Sequence, residues 1–327
     1  MRVTTLARRV GRAVVTVPVA FTVVFLSLSF VSNPNAAPRF NYVPQTPSLG
    51  VSRSPRFAAR DESLVALYTE WFGRVATLDL GVTPGAGRSV VSLLVEALGF
   101  TAVYFLPAFL LAVFVGTAVQ LYAVSTADRL DCWTRVAAIV AVSVPVFVVA
   151  FLARTVFIVP ASQLLNVPVL EFHFDPARGP LSAQNLRMMS LPFVAMTLYL
   201  TAIQMRYAGN GFAEYTDQSF VKLARAKGAG PLRVGRHILP HTVVRLATTL
   251  LSDTLGLVLV GVYVLEWLAG VPGFGALTID AIGTQVPGLM FATVLLPVTV
   301  AVVVNLGQDL YYALLDPRVD AGSGVGE

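Results

Sequence analysis

Residues 97–127, ALGFTAVYFLPAFLLAVFVGTAVQLYAVSTA, run for 31 positions without an acidic or basic side chain, between Glu96 and Asp128. A bilayer core of about 30 Å is crossed by about 20 apolar residues at 1.5 Å per helical residue, so this stretch alone places the chain in lipid. Five further stretches fit the same template. Residues 13–31 carry no ionisable group, Arg135 and Arg154 bracket another stretch, and Arg187 and Arg206 a fourth. A fifth covers about 246–265 with one carboxylate, Asp253, and the last lies between Asp280 and Asp309. The expected fold is all-α: a polytopic membrane protein with six transmembrane helices, at 13–31, 97–119, 136–158, 187–206, 246–266 and 288–312. Pro18, Pro107, Pro145, Pro192 and Pro297 fall inside these stretches. Neighbouring helices and Ser/Thr side chains can satisfy the carbonyls they free.

Composition agrees. Of 327 residues 56% are hydrophobic and 13% charged, against about 25% charged in soluble proteins. The single Cys132 excludes a disulfide framework or a multi-cysteine metal site. The net charge of +5 is explained by topology rather than nucleic acid. Basic residues crowd the first twelve positions (Arg2, Arg8, Arg9, Arg12) and the 206–245 segment, which holds seven. By the positive-inside rule both termini and that segment are expected in the cytoplasm, with an extracytoplasmic segment at 32–95 and a cytoplasmic tail at 316–327. The 19-residue run 13–31 exceeds the h-region of a signal peptide and reads as an uncleaved anchor.

Outside the membrane, 32–60 is rich in proline and asparagine and reads as extended and poorly regular. From Asp61 onward, SLVALYTEWFGRV has apolar residues near helical spacing and predicts a surface helix, closed by a turn at Asp79-Leu80-Gly81. Residues 160–186, with four prolines, leave little room for helix.

The segment 213–243 carries the clearest pattern. Asp217 or Ser219 can cap a helix whose apolar Phe220, Leu223 and Ala224 share a face. Gly228 supplies a left-handed stop, and Gly230-Pro231 opens a second helix. This helix-turn-helix ledge reads either as a basic loop among lipid head groups or as a docking element for a cytoplasmic partner.

ARAKGAG at 224–230 with RHILP at 236–240 resembles the EAA loop of ABC-importer permeases, and in particular the dipeptide/oligopeptide/nickel type. WFGRVATLDLG at 71–81, VPAS at 159–162, GVPGFG at 270–275 and VNLGQDLYYALLDPRV at 304–319 extend the resemblance over nearly the whole chain. It implies a permease subunit that forms the translocation path for a peptide-like or other small solute. Its partners would be a second permease subunit in a heterodimer, two ATP-binding subunits and an external substrate-binding protein, in the plasma membrane. The chain itself would bind no cofactor, with ATP and Mg held by the partner subunits. The contact with the ATPase would fall on Lys222, Leu223, Ala224, Arg225, Ala226, Lys227 and Gly228. The chain departs from the motif at Lys222, where its glutamate would stand, and at Leu223, where its first alanine would.

The residues themselves exclude a built-in ATPase: the two lysines, Lys222 and Lys227, lie in no phosphate-binding loop. His237 and His241, spaced i, i+4 around Pro240, lack neighbouring ligands and read as an interfacial pair rather than a metal site. Asp253 either lines the pathway or pairs with a loop arginine near the cytoplasmic boundary. Glu266 with Gly270, Pro272, Gly273 and Gly275 reads as an external re-entrant element near a gate, or as a plain turn. Arg154 and Glu171 read as interfacial and loop charges. An intramembrane enzyme would need paired carboxylates, a nucleophile with its base or a metal cluster, and Asp253 alone is insufficient; a receptor or scaffold would lack a neighbouring ATPase.

Overall fold

The computed structural model describes residues 3–30, 40–43, 56–59, 61–83, 87–126, 128–165, 174–216, 218–230, 233–239, 242 and 259–315. Asp253, His173, His241 and most of 32–60 lie outside them. The helices are α1 (Val3–Ser29), α2 (Leu64–Ala76), α3 (Val90–Thr126), α4 (Asp128–Ser143), α5 (Val146–Leu152), α6 (Val159–Leu165), α7 (Ala183–Thr216), α8 (Ser219–Ala226), α9 (Leu259–Ala269), α10 (Phe274–Thr284) and α11 (Pro287–Leu315). A helical segment also covers 233–239.

Among the described residues four helices, in α1, α3, α7 and α11, are long and apolar enough to cross a bilayer. Two bent pairs bring the number to six if each counts as one span: α4 with 146–158, turning by 83°, and α9 with α10, turning by 85°. The expected third span, 136–158, is thus not straight. It breaks after Ser143 at Pro145, which has extended backbone (φ −56°, ψ 135°), and continues through α5 into a π-helical stretch, Ala153–Ile158. Proline cannot donate to the preceding turn and restricts the residue before it, whereas Pro18, Pro107, Pro192 and Pro297 remain inside their helices. Helix ends also differ from expectation. The stretch between the expected spans 97–119 and 136–158 is helical up to Thr126 and again from Asp128, α7 runs ten residues beyond Arg206, and α6 continues to Leu165.

The chain divides into two compact units, residues 1–97 with 277–327, and residues 98–276. In the first, Phe21, Phe25, Leu67, Trp71 and Phe291 form a buried aromatic core, with the rings of Phe21 and Phe291 stacked at 5.3 Å. α2 starts at Ser63, whose Oγ accepts the Ala66 N–H, and Tyr68 of α2 shares a 2.8 Å hydrogen bond with Thr22 of α1. The turn at Asp79 forms as expected, its carboxylate accepting the Gly81 N–H at 3.2 Å. Between α1, α2 and α11 lies an apolar hollow of about 340 Å³, lined among others by Pro18, Phe72, Leu80 and Leu296. The segment read as irregular contains a two-stranded antiparallel ribbon, β1 (Phe40–Val43) with β2 (Arg56–Ala59).

The second unit centres on Ala108, Ala112, Val146, Ala150, Met196, Leu200 and Val262. Apolar burial drives little when the alternative environment is also apolar, so small residues that permit close backbone approach carry the packing. Gly116 and Gly261 show this: a Cβ would lie 2.9 Å from the Thr201 carbonyl at one and 2.8 Å from Val146 Cγ1 at the other. The outward residues of α3, such as Leu106, Leu110 and Phe114, are exposed, the surface that lipid requires.

Candidate functional site

Two places in the second unit gather the residues singled out in the sequence. The first is the ledge. α8 has Gln218 rather than Ser219 as its N-cap residue, with no side-chain capping bond, and Asp217 lies outside the described residues. Its buried residue is Val221, which packs with Ala208 and Phe212 of α7 and with Val234 and Ile238 of the 233–239 segment. The expected apolar face is therefore turned outward: Phe220 is 38% and Leu223 56% exposed. The reason is tertiary. Of the two apolar faces an eight-residue helix can offer, the one carrying Val221 meets the ends of α3 and α7, where Leu121 and Val124 complete the pocket.

Gly228 ends the helix with φ +75°. Its N–H reaches the Arg225 carbonyl at 2.9 Å, and the Ala229 N–H reaches Ala224 at 3.0 Å, the paired bonds that a left-handed residue after a helix makes possible. The Gly230 carbonyl then accepts from Arg233 and Val234, starting the second helix. The result is a seated ledge whose outer surface presents Phe220, Lys222, Leu223, Arg225, Ala226 and Lys227.

The second place is Glu266, fully buried near the end of α9. Its Oε1 accepts the Thr101 hydroxyl at 2.6 Å and the Tyr104 hydroxyl at 2.8 Å. Its Oε2 accepts the backbone N–H groups of Gly275 at 2.7 Å and Ala276 at 3.2 Å. Those two N–H groups belong to the first turn of α10, where donors lack intrahelical partners and the helix dipole favours an anion. Thr101 Oγ1 in turn accepts the Phe274 N–H at 2.8 Å. One carboxylate thus caps α10 and ties the α9–α10 bend to α3. Gly273 is required by proximity, since a Cβ there would stand 2.3 Å from Glu266 Oε1. Glu266 and Gly273 are brought together in a closed, buried polar knot.

Two contributors escape a sequence reading. Thr101 and Tyr104 lie one turn apart on an apolar span, and a pair of hydroxyls at that spacing is the only signal. Arg154, read as an interfacial charge, donates to the Leu268 carbonyl.

The fold, with apolar helices long enough to cross a bilayer, defines a multi-pass membrane protein. Residues 108–321 match the family described as binding-protein-dependent transport system inner membrane component. The chain belongs to this family and is an ABC-importer permease of the peptide type. It is 30% identical over 268 residues to a protein named as a peptide permease in Brucella suis biovar 1, covering 79% of this chain and 81% of that one. A peptide transport system permease of Brucella abortus is 26% identical over 261 residues, with the same coverage. The oligopeptide transport system permease OppB of Mycobacterium tuberculosis is 24% identical over 284 residues, covering 84% of this chain and 86% of that one.

Proposed function

We propose that the chain is the half of a peptide importer whose 219–230 ledge docks on an ATP-hydrolysing subunit, and that movement of the ledge swings the path between outward-open and inward-open states. The observation that carries this reading is the exposure of Phe220 and Leu223 beside Lys222, Arg225 and Lys227 on a helix seated through Val221 and closed at Gly228. An apolar pair ringed by cations suits a protein groove with an acidic rim, whereas basic side chains alone would suffice for lipid head groups. A second permease subunit, two ATPases that carry ATP and Mg, and an external binding protein complete the assembly. Both termini and the ledge lie in the cytoplasm. The Glu266 knot serves this function by holding the α9–α10 bend, with GVPGFG at its apex, in one shape near the external gate.

The test is co-purification with co-expressed ATPase subunits. Leu223→Asp alters only an exposed position, so the permease should purify normally while ATPase recovery falls about tenfold, the loss expected of one apolar anchor at an interface. Undiminished recovery would sink the docking assignment.

A further inference from the structure

The ledge rests on a turn of α7 that is also gripped from α4. Arg135 donates through Nη2 to the Gly209 carbonyl at 2.8 Å and through Nη1 to Asn210 Oδ1 at 3.4 Å. Its Nε is held by both oxygens of Asp131, one turn earlier, at 2.9 and 2.8 Å. Asp131 Oδ1 also accepts from Gln120 of α3, a fully buried side chain. Three helices therefore meet in one polar joint. A guanidinium suits this place because its planar fork can serve a carboxylate and a carbonyl at once. Gly209 makes room for it: a Cβ there would stand 3.2 Å from Gln120 Nε2 and 3.3 Å from Arg135 Cζ.

The joint shares its turn of α7 with the seat of the ledge. Ala208 and Phe212, which flank Gly209, are the residues against which Val221 of α8 packs. Any displacement of α8 thus acts on the same turn that Arg135 holds, and α4 leads directly into the Pro145 bend.

We propose that Arg135 is a positioning residue for transport: it makes α4 follow the ledge, so that a push on α8 reaches the broken span α4–α5. Without it, α8 and α7 would still move together through their apolar contact, but α4 would be left behind. This rests on the docking reading above.

The lone, exposed Cys132 of α4 supplies the probe. The permease is labelled there with an environment-sensitive fluorophore, assembled with cysteine-free partner subunits in phospholipid vesicles, and read with and without ATP plus vanadate. In the unaltered chain the nucleotide should shift the emission. In Arg135→Ala, ATPase subunits should co-purify and hydrolyse ATP as before, while the shift becomes at least about threefold smaller, the scale on which a residue in a coupling network acts. Arg135→Lys should recover part of it. Gly209→Ala, which removes no charge, should reduce the shift in the same direction and decides the matter if Arg135→Ala does not assemble. A full-sized shift in the assembled variants overturns the proposal, as does the absence of a shift in the unaltered complex. Failure of the unaltered chain to hold ATPase subunits would instead overturn the docking reading.

Discussion

The two bent spans turn through nearly the same angle, 83° and 85°, but are held in opposite ways. At α9–α10 the bend is closed by a buried carboxylate with four hydrogen bonds, two of them to the first turn of the following helix. At α4–α5 the bend rests on Pro145, with no side-chain cap on α5, and a π-helical stretch follows about two turns later. A bend fixed by satisfied polar groups in a low-dielectric surrounding is costly to open. One caused by a missing donor can change its angle without leaving any new group unsatisfied. On these physical grounds the first is a bracket and the second a hinge.

The comparison can be broken at either bend. Glu266→Ala leaves the Tyr104 hydroxyl and the Gly275 and Ala276 N–H groups without their acceptor, each worth about 1–3 kcal/mol when buried. It should destabilise the protein by about 4 kcal/mol, read as a lowered melting midpoint in detergent, with Glu266→Gln intermediate because one oxygen remains. A midpoint within a degree of the unaltered protein would show that the knot holds nothing. Gly273→Ala should destabilise the protein by about 2 kcal/mol in the same measurement, the cost of overpacking, since the methyl group cannot coexist with the carboxylate where it stands. The smallest stability effect is expected at the hinge. Pro145→Ala returns a donor to the turn and should change stability by less than about 1 kcal/mol, yet slow uptake of a radiolabelled tripeptide pool into vesicles. If Pro145→Ala melts as early as Glu266→Ala, the distinction between hinge and bracket is wrong.

These bends mark the limit of what the sequence discloses. The spans in α1, α3, α7 and α11 were legible because length and lack of charge suffice, and α2 because the spacing of Leu64, Leu67, Tyr68 and Trp71 carries a period; residues 246–258 of the expected fifth span lie outside the described residues. α3 and α11 are apolar on all sides, so no period reports which face is inward, and nothing local separates Pro145, which breaks its helix, from Pro107 and Pro192, which do not. In the ledge, Gly228 was legible since its conformation is set by the residue itself. The choice between the Val221 face and the Leu223 face was not, because it depends on side chains of α3 and α7 about a hundred and about ten positions away. Glu266 could be singled out as a carboxylate among glycines, but its partners Thr101 and Tyr104 lie 165 and 162 residues earlier. Local chemistry shows through in the sequence; the pairing of distant polar groups does not.

The hollow between α1, α2 and α11 has a practical consequence. Its walls are almost wholly apolar, so in the bilayer acyl chains are its natural filling, and solubilisation exchanges those chains for detergent tails. The unit built from the two ends of the chain is thereby the part whose packing depends on the amphiphile chosen, while the bracket, joint and ledge are closed by the protein's own atoms.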